Sequence, residues 1–104
     1  MLKGPFRGLV VSVAVDKSGN AVRFNGTSWT APTTIDHSNS LTSVSCPTAS
    51  SCTAVGDNGD VVTFNGTSWT TPISVVPVPV LVVSCPTTTF CTALDSNGEV
   101  LQEY

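Results

Sequence analysis

Six consecutive residues, Asn25-Gly26-Thr27-Ser28-Trp29-Thr30, recur unchanged forty positions later as Asn65-Gly66-Thr67-Ser68-Trp69-Thr70, each copy preceded by a phenylalanine, Phe24 or Phe64. A second element repeats in step. Ser43-Val44-Ser45-Cys46-Pro47-Thr48, followed by Cys52-Thr53-Ala54-Val55, returns as Val82-Val83-Ser84-Cys85-Pro86-Thr87, followed by Cys91-Thr92-Ala93-Leu94. Between these elements a turn of the type Asp-x-(Ser/Asn)-Gly occurs at Asp16 to Gly19 and at Asp95 to Gly98, with the close variant Gly56-Asp57-Asn58-Gly59. A chain built this way folds as repeats of one supersecondary unit, each unable to bury its apolar face alone.

The composition says which unit. The chain holds 16 Val, 15 Thr and 13 Ser. Val and Thr are β-branched and favour strands, whereas the helix formers Leu, Lys, Glu and Gln are scarce. A period of about forty residues with strand-like composition points to β-propeller blades of four-stranded antiparallel sheets. The turn signals place the strands of the complete unit at residues 41–46, 52–56, 60–65 and 69–75. Glycine in the left-handed conformation closes the tight hairpin between the second and third. In this register residues 1–104 form a single repeat domain. It consists of a partial blade at 8–40, a complete blade at 41–76 and a partial blade at 80–104, about two and a half blades in all.

Several classes are excluded. The net charge is −3, and charged residues make up 11% of the chain, against roughly a quarter in ordinary domains. Four basic residues cannot cover much phosphate, so nucleic acid is not an expected partner. The apolar fraction of 40% is too high for a disordered segment. The longest apolar run, residues 73–83, is about half the ~20 residues of a membrane span and carries Pro77 and Pro79, so no membrane insertion is expected. Residues 1–15 imitate a signal peptide. No small-residue cleavage site follows, however, and the apolar stretch aligns with a strand that recurs later, so it reads as part of the repeat.

Two and a half blades leave sheet edges and faces open, because propellers close with four to eight blades. Open Val-rich edges invite pairing with other chains. Self-association as a dimer or trimer, five to eight blades around one axis, is therefore the expected partner arrangement. The linker at 73–83 agrees: it is apolar, where its counterpart at 33–41 is polar. Packing within one chain is the other reading of that segment.

The four cysteines fall in two Cys-Pro-Thr-x-x-x-Cys elements, which suit either disulfides or metal ligands. Zinc ribbons use two-residue spacings with further Cys or His nearby, and the one histidine, His37, is distant in sequence. The favoured reading is two local disulfides, Cys46–Cys52 and Cys85–Cys91, each contributing about 2 kcal/mol by constraining the unfolded chain. Metals and cofactors are not expected. Disulfides persist in oxidising surroundings, which points to a secreted or cell-surface protein. The first unit has Phe6 and Ser12 at the corresponding positions and so no bridge.

The pattern Ser-Val-Ser-Cys-Pro, Cys-x-Ala-Val, Asn-Gly and Phe-Asn-Gly-Thr-Ser-Trp resembles the cysteine-containing repeats of secreted bacterial β-propeller proteins, over nearly the whole chain from about Val10 onward. The Asn-Gly-Thr-Ser-Trp turn is similar to a shortened Asp-box, the turn between strands three and four of sialidase-like propellers, which stabilises the fold. Small lectin propellers assembled from two-blade chains offer a further likeness for an oligomer.

The candidate ligand-binding residues are Trp29 and Trp69, each able to stack on a sugar ring, with Asn25 and Asn65 supplying hydrogen bonds nearby. The favoured structural reading makes both tryptophans packing anchors for the fourth strand and both asparagines turn formers. Asp57, Asp60, Asp95 and Glu99 surround equivalent turns, where Asp is recruited for backbone bonding. They lack the alternating acids of a calcium loop and the shared cleft of a glycosidase pair. Asp36-His37-Ser38 are adjacent in sequence, which does not give triad geometry, and His37 reads as a solvated loop residue. No enzyme is expected, since nothing pairs a nucleophile with a base. Two functions remain. One is a non-enzymatic, lectin-like module recognising a glycan or another surface ligand through repeated shallow sites. The other is a purely structural propeller fragment or self-assembling blade unit with no ligand.

Overall fold

The computed structural model describes residues 12–24, 27–37, 39–48 and 50–103; Phe6 and Asn25 therefore lie outside the described residues. The fold is all-β, with no helix among those residues. Among the described residues ten strands run in chain order: β1 (Ser12–Val15), β2 (Asn20–Phe24), β3 (Thr33–Thr34), β4 (Leu41–Thr48), β5 (Ser51–Gly56), β6 (Asp60–Phe64), β7 (Ile73–Ser74), β8 (Val80–Thr87), β9 (Phe90–Asp95) and β10 (Val100–Glu103). They form three antiparallel sheets, a first of order β1-β2-β3, a middle of order β4-β5-β6-β7 and a last of order β10-β9-β8. The described residues close no ring. By repeat position, β1, β2 and β3 correspond to β5, β6 and β7, while β8, β9 and β10 correspond to β4, β5 and β6.

The tight hairpins follow from their turn residues. Gly19, Gly59 and Gly98 adopt φ of 79°, 76° and 79°, the left-handed region that a Cβ disfavours. Asp16 Oδ1 accepts hydrogen bonds from the backbone N–H of Ser18 and Asn20, each at 2.9 Å. Asp95 Oδ1 accepts likewise from Asn97 and Glu99, each at 2.9 Å. The middle turn has Gly56 at that position, and there the Asp57 N–H donates to Ser40 O at 2.8 Å.

The fourth strand departs from the continuous 69–75 of the sequence reading. Trp69 makes only an isolated bridge to Phe64, Thr70 N–H donates to Thr63 O at 2.8 Å, and regular pairing resumes at Asp60↔Ser74 and Val61↔Ile73. Pro72 interrupts it, since proline has no N–H to give the ladder. The first sheet repeats this break, with a Phe24↔Trp29 bridge, Pro32 and then the short β3.

Alternation along each strand loads both faces of the middle sheet. One face buries Leu41, Ala54 and Val62 against Ala21 of the first sheet and Ile35 just after it. The other buries Val55 against Val80, Val83 and Cys85 of the last sheet. Side-chain hydroxyls stitch β4 to β8 at that second junction. Ser43 Oγ accepts from Val83 N–H at 3.1 Å, Ser45 Oγ accepts from Cys85 N–H at 2.9 Å, and the Thr42 hydroxyl donates to Val80 O.

Both disulfides form, Cys46–Cys52 and Cys85–Cys91, each bridging one hairpin. The apolar linker divides its side chains: Val80 is fully buried and Val76 packs within the chain, while Ile73 and Val75 remain exposed.

Candidate functional site

A cleft of about 510 Å³ opens between the first and middle sheets, within the size range of small-molecule sites. The chain builds it from two repeats. Trp69, held by its bridge to Phe64, forms one wall together with the Thr70-Thr71-Pro72 break, and Thr33, Thr34 and Ile35 form the opposite one. Phe64 is buried, and its ring centroid lies 5.2 Å from that of Trp69. Above Phe64 sits the Arg23 guanidinium, 4.8 Å from the ring centroid, a cation–π contact.

Arg23 carries the most specific feature of the cleft. Its backbone is fixed by strand pairing, accepting from Thr30 N–H at 2.8 Å and donating to Thr30 Oγ1 at 3.0 Å. Its Nε–H is shielded from solvent, yet finds no acceptor among the described residues. An unmet donor of this kind costs about 1–3 kcal/mol. His37 stands exposed at the mouth.

Of the four predicted site residues, Asn25 lies outside the described residues, and the other three do not converge. Trp69 lines the cleft and packs against the adjacent core. Trp29, identical in local sequence, stacks on Phe24 with centroids 5.1 Å apart and is 52% exposed, away from the cleft. Asn65 Oδ1 accepts from Thr67 N–H at 2.9 Å and from Ser68 N–H at 3.0 Å, so its carbonyl is committed to its own turn.

The structure also brings together acids that are distant in sequence. Asp36 and Asp60 are both buried. Asn39 ties them, its backbone N–H donating to Asp36 Oδ1 at 3.2 Å and its Nδ2 to Asp60 Oδ2 at 2.8 Å. A hydrogen bond to the Asp36 carboxyl, followed by burial, raises the pKa of Asp60 above the usual carboxylate value. This pair anchors the loop after β3 to the start of β6. No group of three or more metal-ligating side chains occurs among the described residues, and these include no helix long and apolar enough to cross a membrane. No family model matches the chain, and a search of curated proteins finds no match. The functional reading therefore rests on the cleft. Of its key groups, Arg23 and Phe64 were not among the predicted site residues, and the Phe-x4-Trp part of the repeat pointed towards Phe64 alone.

Proposed function

We propose that this chain is a non-enzymatic binding module made of β-propeller blades, belonging to a secreted or surface protein, that takes a saccharide in the cleft between its first and middle sheets. The observation that carries this reading is a cleft whose lining sets the Trp69 indole among threonine hydroxyls and the Arg23 side chain. Saccharide sites pair an aromatic platform with a few fixed polar groups. Here the indole supplies the platform, Arg23 a charged donor, and the threonines of β3 and of the 70–71 segment hydroxyls. The two disulfides suit an oxidising compartment. Repetition of such clefts around an assembly would add avidity.

A glycan array followed by titration calorimetry tests this reading. A hydrogen bond to a charged group contributes about 1.5–3 kcal/mol, so Arg23→Gln should weaken binding at least about tenfold. Trp69→Ala should abolish binding, and Trp29→Ala on the isolated chain should leave it intact. Silence across the array, or binding indifferent to both Arg23→Gln and Trp69→Ala, overturns the reading. The exposed end faces of the first and last sheets favour the second reading, a structural unit without ligand, and that silence would select it.

A further inference from the structure

Repeat-equivalent positions show what each free face lacks. The face of the middle sheet that holds the last sheet contains Val55, 1% exposed, and half-buried Val61. Their counterparts on the last sheet, Leu94 and Val100, are 39% and 61% exposed. Thr42 and Ser43 on that face give their hydroxyls to β8, whereas their counterparts Leu81 and Val82 have none to give and are each 48% exposed. The free face is thus more apolar than the face it duplicates, the reverse of what a water-facing copy would require.

The opposite end of the molecule carries the matching half. The middle sheet meets the first through Ala54 and Val62, both fully buried, and through Phe64. The counterparts on the outer face of the first sheet are Ala14, exposed, and Val22 and Phe24, half-buried. Trp29 at that end is likewise more exposed than Trp69. The described residues therefore present two different half-junctions, and each is of the kind that joins the sheets within the chain.

We propose that a second copy of this chain docks head to tail, the outer face of the last sheet of one copy packing on the outer face of the first sheet of the next. Leu94 and Val100 would meet Ala14 and Val22 as Val55 and Val61 meet Ala93 and Leu101 within the chain. The two surfaces differ, so the contact is heterologous and propagates until a ring closes or a filament grows. It does not depend on any ligand in the cleft.

Sedimentation of the purified, disulfide-intact chain at tens of micromolar tests this. The wild type should exceed the mass of one chain. The double variant Leu94→Glu/Val100→Glu blocks one face and Ala14→Arg the other; each alone should sediment as a monomer with unchanged circular dichroism, while Thr88→Arg, on the exposed β8–β9 turn, should assemble normally. Mixing the two blocked variants leaves one intact junction and should give a species of twice the monomer mass that grows no further. A monomeric wild type, assembly by either blocked variant alone, or failure of the mixture to pair would each overturn the proposal. So would a blocked variant that unfolds while its wild type sediments as a monomer.

Discussion

Substituting alanine at Gly59 and at Gly98 applies one perturbation to two turns that share a backbone and differ in what lies above them. Both glycines adopt the left-handed conformation, at φ 76° and 79°, so each alanine meets a dihedral penalty of roughly 1–2 kcal/mol. A Cβ on Gly98 meets nothing within 4 Å, whereas a Cβ on Gly59 would sit 1.8 Å from Val76 O. That carbonyl would have to retreat by more than an ångström. The retreat would strain the bond from Val75 N–H to Gly59 O, 2.9 Å long, and the Ser74 hydroxyl bonds to Asn58 O and Val76 O, at 2.9 and 3.2 Å. With net contributions of about 1 kcal/mol per hydrogen bond, losing two of these puts Gly59→Ala about 2 kcal/mol below Gly98→Ala. At about 4–8 °C per kcal/mol for a domain of this order of size, the Tm values should separate by roughly 8–16 °C. The assay is thermal unfolding by circular dichroism in the Ala14→Arg background, which keeps the chain monomeric. Gly19→Ala, whose Cβ would sit 1.8 Å from Asp36 O, should fall with Gly59→Ala. Equal losses at Gly59 and Gly98 would refute the reasoning, because the dihedral alone would then set the cost.

Three further outcomes are expected. The raised pKa of Asp60 means that its contribution is complete below the ordinary carboxylate value of 3.8 and lost as pH rises through the higher folded value. Asp60→Asn, which replaces the shared proton with a permanent donor, should therefore raise Tm at pH 7 and flatten its dependence between pH 3 and 7; a Tm that falls at pH 7 refutes this. Reducing the two disulfides should lower stability by about 2 kcal/mol each, measured by urea unfolding with and without reductant, and the Cys46→Ala/Cys52→Ala pair should reproduce half of the loss. Ser45→Ala removes the acceptor of the Cys85 N–H and should cost about 1 kcal/mol, with faster hydrogen exchange at the Cys85 amide as its signature.

The repeat made the strand order, the left-handed glycines and both cystines legible, because each depends on residues close together in sequence. Contacts that span repeats were not legible. Identical hexapeptides place Trp29 in solvent and Trp69 in a cleft wall, a difference set by whether a neighbouring sheet is present. Arg23 stacks on a phenylalanine of the next repeat, and Asp36 meets Asp60 through Asn39; no local pattern announces either contact. The fourth strand differs from the expected 69–75 for a local reason, since Pro72 has no N–H to give the ladder.

Each cystine begins and ends inside one hairpin, spanning six positions of a unit about forty residues long. A duplication or deletion of one whole unit therefore carries a complete bridge with it and never strands a single thiol. Gene copying can lengthen or shorten such an array without any partner cysteine having to be found elsewhere. A unit that has lost both sulfurs, as the first has, leaves the pairing of its neighbours untouched.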